Sequence, residues 1–210
     1  MLKIENVYTS GWKAAIRGMR NPKNSWAQID SAVVNGNGFV VGNNDYDLMY
    51  RLASAGTDHG KFMRMITVYL DVTAPLYWWK EFDTYKVGTV ANSCSTIHKI
   101  HSKEFTLDDF SHEQLNEKSL YMLNETVRYL NAVREAFVET KDKEYWWQMI
   151  QLLPSSYNQR RTVMLNYAVL RNIYHARRNH KLDEWHTFCD WIESLPYSDL
   201  ITGITGKAVL

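Results

Sequence analysis

Apolar and polar positions follow two rhythms along this 210-residue chain. A period near 3.6 marks helices and a period of two marks strands. Lys3 to Tyr8, with Ile4 and Val7 apolar, predicts a short strand. Thr9 or Ser10 then offers a cap for a short helix over Gly11 to Met19. Arg20 to Gln28 is turn-rich, and between residues 31 and 43 Gly and Asn turn formers surround Phe39-Val40-Val41, which predicts a hairpin-like or irregular excursion. Asn43 or Asn44 is placed to cap a helix over Asp45 to Ala55, with Leu48, Met49 and Leu52 as its stripe and Gly56 as its stop. Phe62 to Val72 alternates through Ile66, Val68 and Leu70 and reads as a strand. Pro75 opens an aromatic-rich helix over Leu76 to Lys86, which Gly88 ends. Residues 89 to 104 form a Ser/Thr/His loop with weak periodicity.

Leucines and valines from Leu115 to Phe137 recur at helical spacing and predict a helix from about His112 to Glu139. Glu144 to Leu152 is helical and ends before Pro154. Asn158 to Arg178 reads as one long helix and Leu182 to Leu195 as another. The expected fold class is therefore α+β. A small mixed or antiparallel sheet packs with long helices in one domain spanning residues 1–210.

Composition narrows the functional classes. A net charge of +1 lacks the basic excess of a dedicated duplex-binding domain, so no nucleic acid polymer is expected as partner. Two cysteines, Cys94 and Cys189, are too few for a disulfide scaffold and fit a reduced, cytoplasmic protein. No apolar run approaches the roughly 18 residues of a membrane span, and the opening MLKIENVYTSGWK lacks a signal-peptide core. Neither a phosphate-binding P-loop nor a G-x-G-x-x-G fingerprint is present, and no G-x-S-x-G elbow supports a nucleophilic serine. His186 and Cys189 have a usable ligand spacing, but the other candidates, His59, His175 and His180, have no regular spacing, so no metal is expected.

The 158–178 segment is the richest in chemistry. Arg171, His175 and Arg178 fall at i, i+4 and i+7 on one helical face, with Asn166 and Arg177 on another. Arginine suits bidentate contact with phosphate or a carbonyl edge, and a solvated helix face explains the same pattern. The loop from Thr89 to His101 gathers Asn92, Ser93, Ser95, Thr96 and His98. Such hydroxyls and amides can cradle a phosphate or ribose, or can satisfy their own backbone.

Taken together, Leu153-Pro154, Arg160 and the Asn166-x5-Asn172-x4-Arg177 pattern resemble the flavin-dependent thymidylate synthase family. Gly56 to Pro75 resembles the glycine, strand and Ala-Pro that precede the family's signature, and Ala14 to Arg20 its first helix. Arg178 to Trp185 resembles the segment after the pattern without being identical. The signature R-H-R-x-x-S is replaced by Thr84-Tyr85-Lys86-Val87-Gly88-Thr89, and the E-x-S-x-R element by the Asn92 to His98 region.

The resemblance implies a thymidylate synthase-complementing protein-like fold and transfer of a one-carbon unit to C5 of dUMP, with FAD as cofactor. NADPH and methylenetetrahydrofolate are the implied co-substrates. It implies that Arg160, Arg177, Lys86 and Ser93 or Ser95 hold the pyrimidine deoxynucleotide, with Arg177 polarising it. Asn166, Asn172, Thr89 and His98 are implied around the flavin, with Arg64 or Met65 at the position of a flavin-contacting histidine. It further implies a homotetramer with sites at subunit junctions. Two alternatives stay open: a related flavoenzyme modifying another pyrimidine nucleotide, for example by hydroxymethylation, and a non-catalytic nucleotide-binding descendant.

Overall fold

The computed structural model describes residues 1–34 and 38–204. Its elements are β1 (Lys3–Ser10), α1 (Trp12–Arg20), β2 (Ala32–Val34), β3 (Gly38–Val40), α2 (Asn43–Ser54), β4 (Thr67–Pro75), α3 (Leu76–Phe82), β5 (Val90–Ser93), α4 (Glu117–Thr140), α5 (Lys143–Leu152), β6 (Asn158–Asn166), α6 (Tyr167–Arg177), α7 (Asp183–Glu193) and α8 (Asp199–Thr202). Four strands form one sheet in the order β1-β4-β6-β5, and β2 and β3 form a separate hairpin. The α+β class read from the sequence is the class observed.

The chain forms two compact units. One comprises Met1–Glu5, Asp71–Thr84 and Ala91–Thr162; the other comprises Asn6–Leu70, Tyr85–Val90 and Val163–Leu210. In the first unit α4 packs on α5. Leu123, Val127, Leu130 and Val133 of α4 join Met149, Phe105 and Phe110 in a buried cluster, as the 3.6-residue spacing requires. Asn116 caps α4 by accepting the Ser119 N–H at 2.9 Å, which starts that helix five residues later than its periodicity predicts. Trp78, Trp79 and Phe82 of α3 are buried.

In the second unit α6 packs on α7 and α8. Leu170, Ile173, Trp185, Phe188 and Ile201 are buried there, with Ile16 of α1 and Met49 of α2. The hairpin expected between residues 31 and 43 is present, with Val33 opposite Phe39; residues 35–37 lie outside the described residues.

The N-cap of α1 is Gly11 rather than Thr9 or Ser10, α3 ends at Phe82 rather than Lys86, and β5 lies inside the segment expected as a loop over 89–104. Three further expectations need correcting. The segment read as one helix over Asn158 to Arg178 is a strand to Asn166 and a helix only from Tyr167. Its burial alternates, with Val163 and Leu165 inward and Arg160 and Thr162 outward, and the sheet ladder supplies the backbone partners a helix would have made internally. The strand read from Phe62 begins at Thr67, because Gly60–Met65 forms tight 3₁₀ turns first. The expected alternation is in phase with the core, since Val68, Leu70, Val72 and Ala74 are all buried. The third concerns the start of α2. Its N-cap is Gly42, and the side chain of distant Asp30 accepts the N–H groups of Asn44 and Asp45 at 2.8 and 3.0 Å.

Candidate functional site

In the second unit the β6–α6 junction builds one cluster. Asn166 is the N-cap of α6; its Oδ1 accepts the Val169 N–H at 3.1 Å, and its Nδ2 lies 3.5 Å from the Gly88 carbonyl. Gly88 takes φ +77, and a Cβ there would stand 2.8 Å from Asn166 Nδ2 and 3.2 Å from the Val169 side chain. Only glycine fits this approach without displacing the cap. The next residue, Thr89, has a buried hydroxyl oxygen with no hydrogen-bond partner among the described residues.

Arg177 closes α6. Its Nε donates to the Tyr85 hydroxyl at 2.9 Å, and its guanidinium carbon lies 4.9 Å from the centroid of the Trp185 ring. Lys86 is exposed in the turn between Tyr85 and Gly88, and Arg64 is exposed at the end of the 3₁₀ segment. Asn172 is exposed in the second turn of α6. Five residues of helix separate it from Arg177 by about 140° around the axis, so the two do not share a face. Asn166 and Arg177 likewise stand at opposite ends of α6, because the helix begins only at Tyr167. Arg171, His175 and Arg178 do share one face. Burial, and then the charges of Arg171 and Arg178, hold the His175 imidazole below its ordinary pKa.

The first unit holds the other named residues. Arg160 and Arg161 are on a strand, so they point to opposite sides. Arg160 Nη2 donates to Asp71 Oδ2 at 2.7 Å. Arg161 donates to Asp83 at 2.7 Å and stacks on Trp79, with its guanidinium carbon 4.2 Å from the ring centroid. Ser95 Oγ accepts the N–H groups of Ile97 and His98 at 3.2 and 2.9 Å, the self-satisfying loop role that the sequence allowed. Ser93 ends β5 and is exposed, as is His98.

A cavity of about 520 Å³ in this unit brings Arg160 and Ser95 together with Lys99 and Lys103, over an apolar floor that includes Phe105 and Tyr157. Lys103 pairs with Asp109. On the same wall the Asn158 Nδ2 is buried without a hydrogen-bond partner among the described residues. Asp108 and Asp109 line the same cavity, so its cations face carboxylates as well as an apolar floor. Ser93 and His98 do not line this cavity.

Sequence reasoning missed Lys99, Lys103 and Asn158 in the first unit and Tyr85 and Trp185 in the second. A basic pair four residues apart was visible in the loop; Tyr85 stood in the replaced signature and Trp185 at the end of the 178–185 segment, but neither carried a role, and Asn158 gave no signal. Among the described residues no group of three or more His, Cys, Asp or Glu converges as a metal site. Burial pushes the Cys189 thiol up to about 11, which leaves it a poor ligand and nucleophile near neutral pH. No helix among the described residues is long and apolar enough to cross a membrane.

No family model matches the chain, and no curated protein matches its sequence. Its fold is similar to that of thymidylate synthase X from Helicobacter pylori, in a crystal structure with FAD and dUMP. That likeness has a TM-score of 0.70 at 16% identity and covers 97% of this chain and 98% of the other. A second structure, of the flavin-dependent thymidylate synthase from the same organism complexed with FAD and dUMP, gives a TM-score of 0.68 at 16% identity. It covers 95% of this chain and 99% of the other.

Proposed function

We propose that this chain is a flavin-dependent enzyme that transfers a one-carbon unit to C5 of a pyrimidine deoxynucleotide, with dUMP as the expected substrate and dTMP as product. The single observation that carries this reading is the near-complete fold correspondence, 97% of this chain against 98% of a protein crystallised with FAD and dUMP. The whole chain then acts as one functional domain.

The residues at the β6–α6 junction fit a bound cofactor. The orphaned Thr89 hydroxyl, next to the Gly88 turn that packs on the Asn166 cap, is a group a ligand would satisfy. Asn166, Asn172, Thr89, Arg64 and His98 would hold FAD, which when bound and reduced supplies the hydride for the transfer. NADPH and methylenetetrahydrofolate serve as the co-substrates on this reading. Arg177 polarises the pyrimidine carbonyl edge with a permanently charged guanidinium. Arg160, Lys86 and Ser93 or Ser95 hold the phosphate, with Arg160 and Ser95 supported by their shared cavity. The assembly is a homotetramer with sites at subunit junctions.

The replaced signature favours one rival, a different pyrimidine nucleotide as substrate. Both are tested together. The purified protein is titrated with FAD, and reduced-flavin turnover is then followed with dUMP and with dCMP. Quenched flavin fluorescence and dTMP formation are expected. No spectral change with FAD, with or without nucleotide, overturns the proposal; turnover of dCMP alone moves it to the rival.

A further inference from the structure

Arg177 is held from two directions by groups that the functional reading does not use. The Tyr85 hydroxyl accepts its Nε–H at 2.9 Å, and the guanidinium carbon lies 5.6 Å from the Tyr85 ring centroid. Trp185, fully buried, lies under the same group at 4.9 Å. The two rings brace each other, edge to face at 6.2 Å, and Phe188 packs against Trp185 edge-on at 5.9 Å. Trp185 is therefore fixed by the core of the second unit, and Tyr85 is fixed against Trp185.

We propose that Tyr85 is a positioning residue that, with Trp185, presets the Arg177 guanidinium for a pyrimidine nucleotide; the ligand rests on the functional reading above. An arginine side chain has four rotatable bonds, and ordering them on binding opposes affinity. A phenol acceptor at Nε and a ring face beneath remove most of that freedom before the ligand arrives. The chemistry also suits a tyrosine here. A phenol oxygen offers lone pairs to the guanidinium N–H and brings no positive charge, whereas an imidazole there would repel the guanidinium whenever protonated. Tyr85 occupies the histidine position of the replaced R-H-R-x-x-S signature, so the replacement supplies a new support for Arg177 as well as removing a group.

The test is a double-mutant cycle on the full chain, with dUMP affinity measured by calorimetry in the presence of FAD. Tyr85→Phe, which removes the acceptor and keeps the ring, is expected to weaken binding about 3- to 10-fold. Arg177→Ala is expected to weaken it about 10- to 150-fold, and the double variant no further than Arg177→Ala alone, because Tyr85 acts through Arg177. A second readout needs no ligand. The Arg177 Nε–H resonance is protected from solvent exchange in the wild type and loses protection in Tyr85→Phe, with the melting temperature kept. Wild-type binding for Tyr85→Phe, or effects that multiply in the double variant, overturns the positioning role alone. Wild-type protein that binds neither dUMP nor dCMP overturns the functional reading, and with it the ligand role of this clamp.

Discussion

Two ion pairs of almost identical length stand in the two units. In the second unit Arg20 Nε meets Asp45 Oδ1 at 2.6 Å, with side-chain exposures of 3% and 0%. In the first unit Arg160 meets Asp71 at 2.7 Å, with exposures of 47% and 14%. Solvent separates them. Asp45 has lost its water and recovers it through the Ser31 hydroxyl at 2.7 Å and the Asp30 and Ser31 N–H groups at 3.1 and 3.0 Å. Burial alone would raise the Asp45 pKa, but the hydrogen bonds from Ser31, Arg20 and the Asp30 backbone outweigh it and lower the pKa. The second pair is half open: Arg160 keeps much of its water, while Asp71 is largely covered and also accepts the Thr162 hydroxyl. A distance near 2.7 Å thus joins two fully covered groups in one unit and, in the other, a half-open arginine to a largely covered carboxylate.

The sharpest way to break this contrast is Asp45→Asn. It leaves Arg20 buried without a countercharge and is expected to cost about 3–5 kcal/mol of stability, a fall in melting temperature on the order of 10 °C. A loss below about 1 kcal/mol in denaturant unfolding would place the buried lock in the same class as the exposed pair. The pH dependence follows the same logic. A carboxyl whose folded pKa is lowered contributes stability above its unfolded pKa and loses it as pH falls through the folded value. Wild-type stability should therefore drop from about pH 4 downward, and the fall should be shallower in Asp45→Asn.

Arg177 adds a third kind of support, a phenol oxygen at its Nε and an indole ring face beneath its guanidinium. Arg177→Ala should weaken nucleotide binding by about 10- to 150-fold, the loss of one charge-assisted contact. Arg178→Ala, one position on and stacked on Tyr174 with its guanidinium carbon 5.2 Å from the ring centroid, should cost far less. Equal affinities for the two variants, with the fold intact by circular dichroism, would remove Arg177 from the site. Gly88→Ala forces a left-handed backbone on a residue with a Cβ and pushes Asn166 from its cap. A stability loss of about 1–2 kcal/mol is expected, with weaker FAD binding as the functional sign. The smallest effect is reserved for Asp71→Asn. Within about 1 kcal/mol of wild type in low salt, its difference should vanish in high salt, because an exposed pair is screened. A salt-independent loss would show that Asp71 is as structural as Asp45.

The sequence and the structure agree where local patterning and burial point the same way. The apolar stripe of α4 was readable over Leu123 to Val133, because a helix makes its hydrogen bonds within itself and needs only one face buried. The phase of β4 was readable for a similar reason, since Val68, Leu70 and Val72 are β-branched or large and alternate strictly. The candidate site was legible only in fragments. Arg160, Ser95, Asn166 and Arg177 were named from a resemblance, and the structure sets Arg160 and Ser95 around one cavity. It gives Asn166 the work of a helix cap, a role that the notion of one continuous helix had hidden.

What the sequence by itself determined is therefore what local patterning records: α1 to α7 in outline, β1, the hairpin, and the alternation of β4, whose ladder partners β1 and β6 are distant. Tertiary structure alone decided the rest, because the partners are far away along the chain. Asn158–Asn166 is a strand because sheet neighbours supply its hydrogen bonds, although nothing in NQRRTVMLN forbids a helix. Asp30 caps α2 from outside that helix, where Asn43 and Asn44 looked sufficient. Tyr85 meets Arg177 across 92 residues of chain. Periodicity records which face of an element is buried; it carries no record of which distant group arrives there, and that arrival decides which arginine is covered and which stays half open.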